Sequence, residues 1–281
     1  LSTGNLVGTI SDVNKSAGGW IQVLEVDGAW PRWTNYRTNI SSLGKYALQL
    51  PNGKYRLNIY PPSSSSGVVP TESGDISITG PVVTFDVALN APNVSGVITP
   101  IEKSSGGWIT AEQIACKCGW YGWSGAPGIA ASSGIASDGS YQLKLQNGQT
   151  RLIAYPSYGV SGVARTTTSS FTIETGVDYT KNIELSSGNV RGTISSTANA
   201  AGGYIRVERK NGEYWEWTNF GTPIPEDGTY RLQLDAGTYR LIVTPGWRAS
   251  GVVETPSDEF TVADDVVNKD VTLLAPNLTG N

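Results

Sequence analysis

The chain has no histidine and no methionine among its 281 residues, only two cysteines and only four phenylalanines. Without histidine, the common Ser/His and Cys/His nucleophile pairs are excluded. Cys116 and Cys118 are too few for a disulfide scaffold, and with no histidine or further cysteine near them no zinc site is read. Charge is also scarce. Asp, Glu, Lys and Arg make up 16% of the chain and the net charge is -4, which argues against a nucleic-acid partner, since that calls for clustered Lys and Arg. No apolar run approaches the length of a membrane span. No signal peptide is visible, and with no initiator methionine the chain reads as a mature or excised piece.

What is abundant is glycine, at 34 residues, and tryptophan, at nine. With frequent Ser, Thr, Val and Tyr and closely spaced turn signals, this composition reads as all-β. The chain is also repetitive. "LSTGNLVGT" opens it, and "LNAPNVSGV" from Leu89, "LSSGNVRGT" from Leu185 and "LLAPNLTGN" from Leu273 return to the same phrase. With Asn5, Asn93, Asn189 and Asn277 in register, each interval holds the same series. A short strand leads to a Gly-Gly turn and a second strand ("GGWIQV", "GGWITA", "GGYIRV"). An aromatic segment follows ("WPRWTN", "WYGWSG", "YWEWTN"). Next come a long alternating segment, an "SGV" turn and closing strands that reach Leu89, Leu185 or Leu274.

The alternating segment carries the strongest local signal. Tyr46, Leu48 and Leu50, then Tyr55, Leu57 and Ile59, recur with a period of two around Asn52-Gly53, which predicts a hairpin with a tight turn. Asn147-Gly148 and Ala236-Gly237 take the same place in the later copies. The expected fold is three tandem Ig-like or prealbumin-like β-sandwich modules of about seven strands each. They span residues 1–92, 93–188 and 189–276, with 277–281 beginning a further repeat. About 90 residues suffice for one core. The middle copy carries an insertion near 114–136, expected to protrude as a loop because a mid-strand insertion would flip every later side chain.

The series "VGTI…GKYALQLPNGKYRLNIYPP" resembles the carboxypeptidase regulatory-like and Cna B-type repeat families, which are prealbumin-like β-sandwiches. The resemblance covers all three copies through core and turn residues. It implies non-catalytic parts of secreted or cell-surface proteins: stalks, pilin-like units, or accessory and binding domains. Some Cna B-type domains hold an internal Lys–Asn/Asp isopeptide bond. Asp86, Asn182 and Asp270 align on the last strand. Lys15 and Lys103 follow the first strand in two copies, and Asn199 takes their place in the third. Asp86 alternates with Phe85, Val87 and Leu89, so these three polar side chains read as solvated groups on an outer face.

Aromatic residues are the candidate binding surface. Trp20, Trp108 and Tyr204 align, with Ile21 and Val23 pointing inward and Trp20 therefore outward. Trp30, Trp120 and Tyr214 align next, then Trp33, Trp123 and Trp217. Tyr158 and Trp247 lie in a loop that varies between copies. Exposed Trp and Tyr rings bind sugars through their apolar faces, but the same recurrence suits aromatics that cover a sheet or pack one module on the next. Arg56, Arg151 and Arg240 recur on outward positions, where they can stack on the tryptophans. The acids Glu25, Glu112, Glu208, Glu213 and Glu216 show no shared register, so no carboxylate pair for catalysis is read. No cofactor is expected. Cys116 and Cys118 lie on one side of a strand, either as two free thiols or as one strained bond, and are expected to be buried or bonded to each other.

The function expected is a non-catalytic, extracellular or cell-surface structural array, a stalk or a subunit of a fibre, filament or adhesin. Its expected partners are neighbouring copies, with no nucleic acid and no membrane insertion. The rival expectation is a carbohydrate-binding accessory region of a larger secreted enzyme, in which polysaccharide is the partner.

Overall fold

The computed structural model describes residues 4–26, 31–62, 65–113 and 128–276, with the backbone alone at 128–130. The chain divides into two compact units. One comprises Leu1–Val94 with the short segments Gln142–Leu145 and Gly176–Tyr179, and the other comprises Ser95–Tyr141, Gln146–Thr175 and Thr180–Asn281. Among the described residues no helix is long and apolar enough to cross a membrane.

The fold is all-β, and one topology occurs three times. In the first repeat the strands are β1 (Leu6–Ser11), β2 (Trp20–Glu25), β3 (Arg32–Asn39), β4 (Lys45–Leu48), β5 (Gly53–Tyr60), β6 (Thr71–Glu72), β7 (Ile76–Ile78), β8 (Val83–Thr84) and β9 (Val87–Ala88). Strands β4, β1 and β8 form one sheet, with β9 also on β1. Strands β3, β2, β5 and β6 form the other, with β7 also on β5. Because β6 with β7, and β8 with β9, are each one interrupted strand, the count is the expected seven. The equivalent strands of the other two repeats adopt the same orders, giving six sheets in all.

Period-two alternation builds each core. Leu6 and Ile10 from one sheet meet Ile21, Val23, Leu57 and Ile59 from the other, all fully buried. Val190, Ile194, Ile205, Val207, Leu241 and Val243 repeat the arrangement in the last copy. A single helical turn, α1 (Val13–Ser16), follows β1, with equivalents at Ile101–Ser104 and Thr197–Ala200. At four residues each, these turns are too short to show a helical period in sequence.

The expected hairpin is not one. β4 pairs with β1, whereas β5 pairs with β2, so the segment through Asn52-Gly53 is an arch that carries the chain from one sheet to the other. Both strands bury Tyr and Leu, so alternation alone fits either arrangement. What selects the arch is Asn5. Its side chain mimics a peptide group, donating from Nδ2 to the Leu50 carbonyl (2.7 Å) and accepting at Oδ1 from the Leu50 amide (2.8 Å). Asn93 does the same to Leu145, and Asn189 to Leu234. The strand is thus tied to the start of β1 beyond the end of β4, where it leaves the sheet. The repeated Asn that sets the register is a structural clasp.

The middle repeat also departs from expectation. Gly128–Gly134 is a strand paired antiparallel with Trp108–Gln113, so the C-terminal part of the 114–136 segment belongs to a sheet rather than to a loop. Residues 114–127, and with them Cys116, Cys118, Trp120 and Trp123, lie outside the described residues, as does Trp30. At the last closing strand it is Leu273 that enters the core, while Leu274 is exposed.

Candidate functional site

Each outward aromatic owes its position to a Gly-Gly turn followed by a strand that buries alternate residues. Gly18 adopts a left-handed φ of 81°, and Gly19 follows in close contact with the Tyr60 carbonyl, where a Cβ would lie 2.4 Å away. Ile21 and Val23 then face inward with no exposed surface, and Trp20 faces out at 41% exposure. Across the sheet Trp20 stands opposite Tyr60, and the rings stack at 4.3 Å and 12°. Trp108 stacks on Tyr155 at 4.7 Å and 14°. In the last repeat the partner position holds Thr244, and Tyr204 lies instead over Gly221, where a Cβ would come within 2.7 Å of the ring. Trp20, Arg37, Thr38 and Asn39 line an open groove beside the first of these aromatics.

The second aromatic row is built on a bulge. Trp33 pairs with Leu24 and Arg37 with Gln22, so three residues oppose Val23. The Thr34 hydroxyl holds this bulge by donating to the Val23 carbonyl (2.8 Å) and accepting from the Tyr36 amide (3.1 Å). Thr218 makes the same two bonds with Val207 and Phe220, and Trp217 stands opposite Glu208 as Trp33 does opposite Leu24. In the middle repeat the residue opposite Glu112 is Ile129. The counterpart of Trp33 is therefore Ile129, not Trp123. Tyr214, Tyr158 and Trp247 are all exposed, Trp247 most of all at 80%, with the Arg248 guanidinium 4.3 Å over its ring.

The recurring arginines are committed mainly to carboxylates. Arg56 bonds Asp75 (2.5 Å) and Glu72 (2.9 Å), and Arg151 bonds Glu112 (2.8 Å). Arg240 donates to Glu208 and also stacks on Trp215 at 4.6 Å. Glu112 and Glu208 do share a register, against expectation: each pairs across the sheet with its arginine, where the first repeat has Leu24 opposite Arg56. When the acid is replaced by Leu24, the two carboxylates that hold the arginine come from the neighbouring edge instead. Trp215 has two cations over its ring, Arg240 and Lys210 (5.7 Å), and both come from other strands, so no local sequence pattern marks it. Arg206 stacks on Trp217 at 4.7 Å and bonds Glu254 (2.5 Å).

Asp86, Asn182 and Asp270 are exposed but not merely solvated. Their side chains accept from the amides of Thr9 (2.7 Å), Val97 (3.0 Å) and Thr193 (2.8 Å). Each supplies the acceptor that the first strand lacks at the interruption of its parallel neighbour. Lys15 pairs with Asp12 at 3.1 Å. Among the described residues no three His, Cys, Asp or Glu side chains cluster as metal ligands do. Chemically, the surface offers flat aromatic faces, paired charges and amide or hydroxyl groups, a set suited to stacking and packing.

No protein-family model and no curated protein matches the chain. Among solved structures, a streptococcal ancillary pilin is similar at 15% identity and a TM-score of 0.27, with 97% of this chain and 99% of that one covered. The Bacillus anthracis TIE protein is similar at 14% identity and a TM-score of 0.24, covering 98% of this chain and 51% of that one. The shaft pilin spaA from Lactobacillus rhamnosus GG is similar at 9% identity and a TM-score of 0.24, covering 66% of this chain and 98% of that one. At such scores the likeness carries no functional residue across. The class of protein is defined by the chain's own architecture, a tandem array of β-sandwich repeats.

Proposed function

We propose that the chain is a non-catalytic, extracellular structural array of three modules, 1–92, 93–188 and 189–276, serving as a stalk or fibre subunit at a cell surface. The observation that carries this reading is the pairing of the first and last strands of each repeat. β1 runs parallel to β8 and β9, and the equivalent strands do so in the last repeat. Tension along the chain enters at the start of β1 and leaves at the end of β9. Parallel neighbours loaded in this way slide past one another, so their bonds are strained together rather than one at a time. Those bonds include Val83 N–H to the Asn5 carbonyl (2.7 Å), Phe85 N–H to the Val7 carbonyl (2.9 Å) and Thr9 N–H to the Asp86 carboxylate (2.7 Å). Recurring polar residues such as Asn5, Asp86 and Tyr46 are spent on this clamp and its surroundings, which suits a tether better than a catalyst. Negative-stain microscopy of the native material tests the reading: rods or filaments are expected, and compact monomers alone would reject the fibre.

The outward stacks Trp20–Tyr60 and Trp108–Tyr155 favour a second reading, carbohydrate binding beside a secreted enzyme. Trp33, Trp217 and Trp247 add exposed rings. A glycan array with Trp33→Ala and Trp247→Ala as controls separates the two, since a tether predicts no polysaccharide binding that depends on these rings.

A further inference from the structure

The last repeat differs from the others on the outer face of its five-stranded sheet. Trp215 and Trp217 lie two residues apart on the strand Tyr214–Pro223, so they point to the same side. Arg206 stacks on Trp217 at 4.7 Å, and Arg240 and Lys210 lie 4.6 Å and 5.7 Å over Trp215. Strand register gives the counterparts. Arg206 pairs with Ile242, Gln22 with Asn58 and Thr110 with Ile153, so Gln22 and Thr110 hold the place of Arg206 in the earlier repeats. Trp217 corresponds to Trp33 and Ile129, and Trp215 to Pro31, two residues before Trp33. Aromatics that only covered the sheet would recur with the sheet. Among the described residues, this row of tryptophans and cations belongs to the last repeat alone.

The row also lies to the side of the contacts that run along the array. Within the second unit, the middle repeat meets the last at a seam. There the Arg165 guanidinium lies 4.5 Å over the Phe220 ring and donates to the Asn219 carbonyl (2.9 Å), and Ser186 Oγ donates to Gln233 Oε1 (2.7 Å). With that seam closed, Trp217 is still 58% exposed. On the middle repeat, Glu112 and Arg151 hold the places of Glu208 and Arg240. A repeat follows there, yet the Arg151 side chain is 39% exposed, against 31% for Arg240. A neighbour seated on the last repeat as the last is seated on the middle one therefore leaves this part of the face open.

Each cation has its own carboxylate: Arg206 bonds Glu254 (2.5 Å), Lys210 bonds Glu259 (2.6 Å) and Arg240 bonds Glu208. These pairs fix the cations against the rings. Arg206 takes one face of Trp217 and leaves the other to solvent, while Trp215 is half-buried. With every charge matched, the row has no net pull on an ionic polymer. It stands on a sheet face, where a small ligand would be enclosed on one side only. What it offers is an open aromatic face beside fixed hydrogen-bonding groups. An uncharged chain with apolar faces and a rim of hydroxyls matches both. Sugars joined by β-linkages through equatorial bonds have that shape, because their axial C–H groups leave the ring faces flat and apolar. We infer that the last repeat binds an extended, neutral, β-linked polysaccharide, which stacks on Trp217 and bonds the paired Arg and Glu groups through its hydroxyls. The inference rests on the carbohydrate-binding reading and gives it one site and one class of ligand. The parallel strands of the clamp lie in the other sheet, so the site leaves them intact.

Affinity electrophoresis of the full chain tests the site, with mixed-linkage β-glucan, hydroxyethylcellulose and xylan as neutral probes and polygalacturonate as the anionic one. The wild type is expected to be retarded by at least one neutral probe and not by polygalacturonate. Trp217→Ala is expected to weaken that binding about tenfold or more, and Trp217→Tyr, which keeps a flat ring, to retain most of it. Trp33→Ala and Trp247→Ala are expected to bind as the wild type does. Should Trp217→Ala melt early, oxidation of the wild type by N-bromosuccinimide gives the same answer without a variant: the bound probe is expected to protect Trp217, read by peptide mass. No retardation by any probe rejects the inference and the carbohydrate reading together. Retardation that Trp217→Ala leaves unchanged, a bound probe that does not protect Trp217, or retardation by polygalacturonate alone rejects this site or this class of ligand and leaves the carbohydrate reading standing.

Discussion

The hydroxyl of Tyr46 donates to the main-chain carbonyl of Phe85 across 2.6 Å, pinning the last strand of the repeat to the sheet it completes. Tyr141 makes the same bond to Lys181 (2.7 Å), and Tyr230 makes it to Lys269. Tyr46→Phe keeps the ring in the core but leaves the carbonyl without this donor, and is expected to cost about 1–2 kcal/mol in urea unfolding. Burial raises the pKa of all three phenols, and Asp86 and Asp270 raise those of Tyr46 and Tyr230 further. The unfolded chain therefore loses these protons first, near the ordinary phenol pKa of about 10. The stability that the buried phenols contribute is complete below that pH and falls as pH rises above it. The Tyr→Phe variants should show a shallower loss over the same range.

The same carbonyl explains a glycine. A Cβ on Gly8 would lie 1.9 Å from the Phe85 oxygen, and on Gly96 or Gly192 it would lie 2.1 Å from the oxygen of Lys181 or Lys269. These are main-chain atoms, fixed by the bonds just described, and cannot yield cheaply. Gly8→Ala is expected to destabilise by about 3 kcal/mol or more. Gly74→Ala, where nothing lies within 4 Å of the added carbon, should be close to neutral in the same assay.

Glu208 is a carboxylate only 5% exposed, held by Arg240. Replacing one partner of such a pair leaves the other poorly satisfied. Glu208→Gln is expected to cost about 2–3 kcal/mol, with Glu112→Gln costing less because Arg151 is the more exposed arginine (39% against 31%). Chemical denaturation of the two variants gives the comparison.

Arg165→Ala removes the cation that joins the middle and last repeats while leaving both cores intact. The expected result is a loss of about 1–2 kcal/mol and a broader, less cooperative thermal transition by calorimetry. An unchanged transition would show that the seam contributes nothing to cooperativity.

Much of this was legible in the sequence, and the exceptions have physical causes. Ile21, Val23, Leu57 and Ile59 announced their burial by alternation, and Trp20 its exposure. The partner of a strand is a different matter: Tyr46–Leu50 and Tyr55–Ile59 alternate identically whether they face across a core or lie side by side. The clasp from Asn5 to Leu50 decides between these arrangements, and it joins residues far apart in sequence. The outer-face position of Asp86 follows from its alternation with Phe85 and Val87, but its role depends on the interruption between β8 and β9, which leaves the Thr9 amide without a main-chain acceptor. The shared register of Glu112 and Glu208 was hidden because the first repeat has Leu24 there. The equivalence of Trp33 and Ile129 was obscured by two nearby tryptophans in the middle repeat.

Single-molecule stretching of the whole chain from its two ends tests the tether most directly, because forced unfolding reads the barrier that the strand clamp creates. The account predicts three separate unfolding events of similar contour length. Each should occur at a force well above that needed to peel antiparallel strands apart, and Tyr46→Phe should lower one of the three. A single event for the whole chain, or three events at peeling forces that Tyr46→Phe does not change, would contradict it.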